Sequence, residues 1–276
     1  MGRRRQLLAA VLANSPAPGF EAPDPAHEFN PTPLAEFSLA GIDFAITRIT
    51  LINWLACAII IFFLVAASRR PKIVPSKLQF AGEGIYGFIR GGIARDVIGP
   101  DGIKFAPFLA TFFMFILANN LMGIIPFAQI PPTSKFALPL FLAAIVYITY
   151  IAVGIKRQGL GTYFKNLVYV ADAPMALQPL MIPLEIFQKL VSRPFTLAVR
   201  LFANMFAGHL LLVVFMLGTT YMLFTADDWQ LKVLSPAPFI MSIGMTFFEI
   251  LVQVLQAYVF TLLTATYLQE SVSGEH

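Results

Sequence analysis

Long runs of apolar residues without a single charge dominate this chain. Residues 49–67, 105–126 and 136–155 contain no Asp, Glu, Lys or Arg. A helix that crosses a bilayer needs roughly 17–25 mainly apolar residues, so each run is long enough. Because lipid offers no hydrogen bonds to the backbone, such a run must satisfy its own N–H and C=O groups as a helix. The pattern therefore predicts membrane-spanning helices.

The composition excludes several other classes of protein. Hydrophobic residues make up 58% of the 276-residue chain and charged residues 12%, against about 45–50% and about 25% in soluble domains. This argues against both a disordered chain and a soluble enzyme. The net charge of +4 is small and scattered, which does not favour nucleic-acid binding. A single cysteine, Cys57, excludes an intrachain disulfide framework and a zinc cluster.

Two further apolar stretches, 183–224 and 236–268, are longer than one crossing requires. An unbroken helix over the first would measure about 60 Å, roughly twice the thickness of the hydrocarbon core. It must tilt steeply or break. We therefore predict an all-α integral membrane protein with five crossing helices, the last two long, strongly tilted and paired as a hairpin. Residues 76–98 mix charged and apolar side chains, which favours an amphipathic helix at the interface.

Basic loops set the expected orientation. The short segments after residues 67 and 155 are rich in Lys and Arg, which is typical of cytoplasmic loops. We expect residues 1–48 outside, a membrane domain over 49–268 and a cytoplasmic tail over 269–276, in the inner or plasma membrane. Arg3-Arg4-Arg5 before an apolar run resembles a signal peptide, but the run is short. We favour an uncleaved segment.

Arg200 lies within one of the long apolar stretches. An ionisable residue in a span is rare and costly, and a guanidinium cannot escape that cost by losing its proton. It needs an anion. The residues alone leave two readings open: an ion pair with Glu249, or an anion that belongs to another protein. Asn204, four residues on, shares the face of Arg200.

The last apolar stretch carries polar residues at helical spacing. Glu249, Gln253 and Gln256 follow one another at offsets of 4 and 3, which places them on one stripe. The stripe is either a hydrogen-bonded seam between helices or the lining of a polar cavity. Apolar surroundings favour the neutral carboxyl, which would let Glu249 exchange protons near neutral pH. His209 is a second group that could titrate there.

The motif Ser192-Arg-Pro-Phe-Thr-Leu-Ala-Val-Arg-Leu-Phe-Ala-Asn-Met-Phe-Ala-Gly-His resembles subunit a of the rotary F-type ATP synthases. Residues 249–268 are similar to the last helix of that family, and Asn119-Asn-Leu-Met-Gly-Ile-Ile-Pro is similar to the end of an earlier one. The resemblance covers most of residues 40–270. It implies that two long helices face a rotating ring of c subunits, with Arg200 opposite each ring carboxylate in turn.

The same resemblance implies a function and its partners. Two offset aqueous half-channels would carry protons to and from the ring, and Arg200 would block a direct leak between them. The partners would be the c-ring, the subunit b peripheral stalk, the rest of the ATP synthase and the lipid membrane, with no nucleic acid, cofactor or metal. The subunit itself would be non-catalytic. The ion, proton or sodium, is set mainly by the ring and is not encoded here.

The resemblance also implies which residues form the site, because their positions match those of polar residues in the family. The proton-path residues are Arg200, Asn204, His209, Glu249, Gln253, Gln256 and Asn120. A channel mouth or exit is predicted at Asp43, Glu185 and Arg193. His209 and Glu249 exchange the acid and histidine positions of some bacterial members. The chain departs from the family at Gly123, where some members carry an acid, and over 131–142, which lacks their usual polar residues.

Two other functions compete with this one. A self-contained proton-coupled transporter would usually show repeated halves and a substrate site at the bilayer midplane, and the sequence indicates neither. A passive scaffold would leave Arg200 and Glu249 unexplained.

Overall fold

Five helical runs long and apolar enough to cross a membrane are present in the computed structural model, which describes residues 35–39, 42–69, 72–125, 131–163, 178–225 and 228–273. They are Arg48–Ser68, Pro100–Leu121, Ala137–Gln158, Leu180–Thr225 and Trp229–Ser273. The predicted all-α membrane architecture, with two long and interrupted helical runs at the end, is confirmed. A multi-pass membrane protein follows.

The elements have the following bounds. Two strands are β1 (Ala35–Leu39) and β2 (Ile42–Ile46). The α-helices are α1 (Arg48–Ser68), α2 (Lys77–Ile89), α3 (Ala106–Leu121), α4 (Ala137–Gln158), α5 (Gln178–Phe187), α6 (Arg193–Thr220), α7 (Trp229–Leu234) and α8 (Pro236–Ser273). Helices of π type follow α2, α5 and α6 at Arg90–Ile98, Gln188–Ser192 and Tyr221–Thr225. Short 3₁₀ helices occupy Pro100–Phe105 and Pro132–Ser134.

The structure also contains two short strands, which the sequence analysis did not predict. β1 and β2 pair antiparallel, with Ala35 opposite Ile46 and Ser38 opposite Asp43. Only two residues separate them in the sequence, a connection length typical of tight hairpins. The rest of the predicted N-terminal segment, up to residue 34, lies outside the described residues.

The helical run Leu180–Thr225 is interrupted by a π segment. Pro194 has no N–H for the carbonyl of Leu190, four residues earlier, and its ring crowds that carbonyl. The π segment Gln188–Ser192 lies immediately before it. A π-bulge is one way in which a helix absorbs such a mismatch. The run therefore changes geometry just before the stretch that carries Arg200.

The last helix extends beyond its predicted end. Helix α8 continues to Ser273 rather than ending at residue 268. Tertiary contacts hold the extra turn, because Gln158 Nε2 donates to the Ser271 carbonyl at 3.0 Å and Glu270 pairs with Arg193. The predicted polar link over 225–235 likewise contains a short helix, α7.

Large apolar side chains are exposed on the surface, and several polar side chains are buried. Phe62 and Phe247 are 74% and 71% exposed, while Gln253 and Asn119 are fully buried. Contiguous exposed apolar surface on this scale indicates contact with a membrane or a partner. The helices therefore expose apolar faces, while their interior holds polar side chains beside an apolar core.

The described residues divide into two compact units. The larger unit holds the described residues between 35 and 206 and between 250 and 273, and the smaller unit holds those between 207 and 249. The core of the larger unit is apolar and aromatic, with the rings of Phe112 and Phe260 stacked at 5.9 Å. Helices α6 and α8 each contribute residues to both units.

Candidate functional site

Arg200 lies on an exposed face of α6 in the larger unit. Thr196 and Ala203, four residues before it and three after, are exposed on the same face. Within the described part of that unit, Arg200 makes no hydrogen bond or ion pair. A permanent cation thus stands among small side chains on the surface of an apolar helix. The alternative ion pair with Glu249 stays a prediction.

Asn204 and Gln256 join α6 to α8 in the larger unit. The Asn204 side chain donates from Nδ2 to Gln256 Oε1 at 2.7 Å. Gln256 is 3% exposed, and its Nε2 is buried without an acceptor among the described residues. One half of this amide therefore has a protein partner, and the other half points into the interior with hydrogen-bonding capacity left over.

The predicted stripe of α8 is buried along its length. Gln253 and Gln256 in the larger unit are at most 3% exposed, as is Glu249 in the smaller unit. The outer side of α8 carries apolar residues such as Leu251 and Leu255 instead. This arrangement fits both readings of the stripe, a helix seam or the lining of a polar path, because both require the polar groups inside.

Glu249 and His209 are both buried within the smaller unit. The Glu249 carboxyl lies against Gly208, where an added Cβ would sit 3.4 Å from Oε1 and 3.6 Å from Cδ. An added Cβ would make ordinary contact with the carboxyl at these distances, so the backbone of α6 at Gly208 lies directly beside Glu249. Sequence reasoning gave no role to Gly208, although a glycine inside an apolar helix is unfavourable by about 1 kcal/mol relative to alanine and is therefore a position to inspect for a close contact.

Asn120 is held by a contact that the sequence did not predict. Its Oδ1 accepts a hydrogen bond of 2.8 Å from Thr133 Oγ1, and both residues are fully buried. The segment 131–142, predicted to lack the polar residues usual in the family, contributes Thr133 and Ser134, which form a buried 3₁₀ turn. The signal missed was the Pro-Pro-Thr-Ser sequence, which is typical of a turn whose hydroxyls point back to the chain.

The glycine at position 123 has a physical reason. A Cβ placed there would meet three atoms of the Pro131 ring at 3.0 Å. The ring of Pro131 thus occupies the space that a larger side chain would need. An acid could not occupy this position without moving the turn that carries Thr133.

Glu185, which was predicted at a channel mouth or exit, has an ion-pair partner that sequence reasoning missed. Its Oε1 lies 2.9 Å from the Lys189 ammonium, which is four residues on and nearly buried. Tyr150 OH donates to the Lys189 carbonyl at 2.8 Å, so α4 supports the π segment. The i, i+4 spacing of Glu and Lys was visible in the sequence and could have indicated the pair.

Arg193 is paired rather than free. Its guanidinium bonds to Glu270 of α8 and lies 5.3 Å above the ring of Tyr267. Tyr163, whose ring packs against Gly154, has its pKa raised by burial and by Tyr147, with Arg193 partly offsetting the change. The contacts tie α6 to the end of α8.

Asp43 lies in β2, opposite Ser38, and its side chain falls outside the described part of the structure. The described residues contain no group of three His, Cys, Asp or Glu side chains placed to hold a metal ion.

A family profile described as ATP synthase A chain matches residues 50–269, which is well over half of the chain. The chain belongs to the ATP synthase A chain family. This confirms the resemblance predicted from the Arg200 motif.

Relatives named ATP synthase subunit a agree with the family profile. That of Nocardioides sp. is 40% identical over 276 residues, 98% of this chain and 99% of the relative. That of Parafrankia sp. is 41% identical over 263 residues, covering 94% and 88%. That of Streptomyces lividans is 44% identical over 227 residues, covering 82% and 79%. The match to the family extends through all five apolar helical runs.

Proposed function

We propose that this chain is the proton-translocating stator subunit of a rotary F-type ATP synthase. It would provide two offset half-channels and couple proton flow to rotation of a c-ring, while ATP itself is made elsewhere in the complex. Its partners would be the c-ring, the subunit b peripheral stalk and the remaining subunits. Membership of the ATP synthase A chain family and the five apolar helical runs support this proposal.

The observation that carries the proposal is the position of Arg200. A charged side chain in a span costs about 2.5–3.5 kcal/mol on insertion scales, and the cost is met by pairing or by water. Arg200 is exposed and unpaired within the described part of its unit. The anion it needs would come from outside this chain, and a carboxylate on each c subunit is such an anion.

Small side chains beside Arg200 would let a helix of the c-ring approach it closely. Thr196 and Ala203 leave a shallow surface on either side of Arg200, and small residues at helix interfaces let two backbones approach closely. A guanidinium stays charged at every ordinary pH. Arg200 would therefore displace the proton from each arriving carboxyl and prevent a proton from passing straight between the half-channels.

The outer half-channel would follow the buried polar residues. Glu249 and His209 would exchange protons, while Asn204, Gln253 and Gln256 would orient water along α8. Buried amides with spare hydrogen-bonding capacity are suited to holding water. Asn120 would extend this path and Asp43 would lie at its mouth.

The inner half-channel would open near Glu185 and Arg193. The basic residues that follow α1 and those in the last turn of α4 favour the cytoplasm on this side, with the N-terminus outside and the chain in the inner or plasma membrane.

The test is Arg200→Ala in the intact complex, with Arg200→Lys as the charge-retaining control. We expect Arg200→Ala to abolish proton-driven ATP synthesis in membrane vesicles while a passive proton leak persists. Arg200→Lys keeps the charge but loses the planar, delocalised group, so we expect it to suppress the leak better than alanine does. Normal coupled synthesis in Arg200→Ala would refute the proposal.

A further inference from the structure

We propose that Asn53 and Asn119 bind a buried water molecule between α1 and α3. Neither residue belongs to the predicted proton path. The site lies in the larger unit, where the beginning of α1 packs against the end of α3.

The packing of the two helices is apolar at its centre. Ile52 and Ala56 of α1 form a small buried cluster with Met122, and Ala118 of α3 packs against it. Because Arg48–Ser68 and Pro100–Leu121 are consecutive apolar runs, they cross the membrane in opposite directions. The contact between the first turns of α1 and the last turn of α3 agrees with such an antiparallel pair. These four residues define the line along which the helices touch.

The two asparagines lie on the same flank of that line. With 100° per residue, Asn53 is displaced by about 80° from the middle of Ile52 and Ala56, and Asn119 by about 80° in the same sense from the middle of Ala118 and Met122. In an antiparallel pair of right-handed helices, equal displacements in the same sense point to the same side. The geometry therefore directs both amides into one space beside the contact.

Both amides present an acceptor to that space. Asn119 Nδ2 donates to the Phe115 carbonyl at 2.9 Å, which fixes the orientation of the amide and leaves its oxygen facing away. The Oδ1 atoms of Asn119 and Asn53 are buried and have no donor among the described residues. Leaving a buried acceptor unsatisfied costs about 1–3 kcal/mol.

Water is the ligand that fits this pair. Two carbonyl oxygens cannot bond to each other, since neither carries a hydrogen, whereas one water molecule can donate to both. Buried waters typically make about three hydrogen bonds to polar groups of this kind. The site requires no charged ligand.

The site adds a step to the proposed outer half-channel, and in that respect it rests on the proposed function. Asn53 and Asn119 lie at the same end of the bundle as Asn120, which is adjacent to Asn119 in the chain. A water held there would extend the hydrated region from the buried Asn120–Thr133 pair to the flank of α1.

The test measures thiol accessibility in the intact complex. Cys57→Ser removes the native cysteine, and Asn53→Cys places a thiol at the site, with Ile52→Cys as the control one residue away in the apolar contact. The thiolate is the reacting form, and apolar surroundings disfavour it. We therefore expect Asn53→Cys to react with a small water-soluble methanethiosulfonate at least about tenfold faster than Ile52→Cys does. Equal or slower reaction would overturn the water site.

A second pair covers the case in which Asn53→Cys does not assemble. Asn119→Cys and Met122→Cys lie on α3 and the turn that follows it, and the same rate ratio is expected between them. The labelling rate of a thiol does not depend on the coupling of proton flow to ATP synthesis. The water site and the proposed function can therefore be refuted independently. Fast labelling with normal synthesis in Arg200→Ala would refute the proposed function alone, and slow labelling with an uncoupled Arg200→Ala would refute the water site alone.

Discussion

Replacing the Asn204–Gln256 pair by leucines distinguishes a structural seam from a proton path. The bond joins α6 to α8 at 2.7 Å, and Gln256 is almost fully buried. Asn204→Leu leaves the almost fully buried Gln256 amide without this partner, and Gln256→Leu does the same to the half-buried Asn204 amide. The double change leaves two apolar side chains of similar volume facing each other.

The structure sets the size of the effect on stability. An orphaned buried amide costs about 1–3 kcal/mol, while replacing both partners by apolar groups can be nearly neutral. Hydrogen bonds between membrane helices average about 0.6 kcal/mol and reach about 1.7 kcal/mol in double-mutant cycles. We therefore expect each single variant to lose about 1–2 kcal/mol of unfolding free energy and the double variant to recover most of it.

Proton flux should not recover with stability. Leucine cannot hold water or pass a proton, so we expect the double variant to assemble normally yet conduct protons at least about tenfold more slowly, equivalent to about 1.4 kcal/mol on the barrier. Unfolding in mixed micelles gives the free energies, and ATP-driven acidification of vesicles gives the flux. Wild-type flux in the stable double variant would show that this pair is only a seam.

Two further predictions concern the buried acid and its surroundings. Gly208→Ala should leave proton pumping close to normal, since its Cβ would meet Glu249 Oε1 at 3.4 Å, an ordinary contact; Gly208→Val should displace the carboxyl and slow pumping by about tenfold or more. Equal pumping in both variants would contradict this packing role. Glu249→Gln and His209→Leu should each slow pumping, measured as vesicle acidification, and the exchange His209→Glu with Glu249→His should restore part of it. If both single variants pump at the wild-type rate, the outer-path roles of these two residues are wrong.

The sequence was sufficient for the membrane helices but not for their ends. Residues 49–67 were predicted as a span, and the helix is Arg48–Ser68. This prediction succeeded because a long uncharged apolar run is stable in lipid only as a helix. Residue 268 was predicted as the end of the last helix, which continues to Ser273. That extra turn is polar and depends on Gln158 and Arg193, residues distant in the chain.

The candidate site divides in the same way. The stripe of Glu249, Gln253 and Gln256 was predicted from local spacing, and the structure buries all three. Thr133 as the partner of Asn120, and Gly208 beside Glu249, were missed. Local spacing along the chain does not determine which side chain of another element will contact a given residue.

The sequence by itself determined that this chain crosses a membrane as helices, how many apolar runs it has, and that a cation stands in one of them. These are local properties, since hydrogen bonding in a lipid-facing helix closes within a few residues. Only the tertiary structure decided that Asn204 meets Gln256, 52 positions away, and that Arg193 pairs with Glu270 while Arg200 is left exposed. Which buried polar group finds a partner depends on how helices pack, and that packing joins residues far apart in the chain.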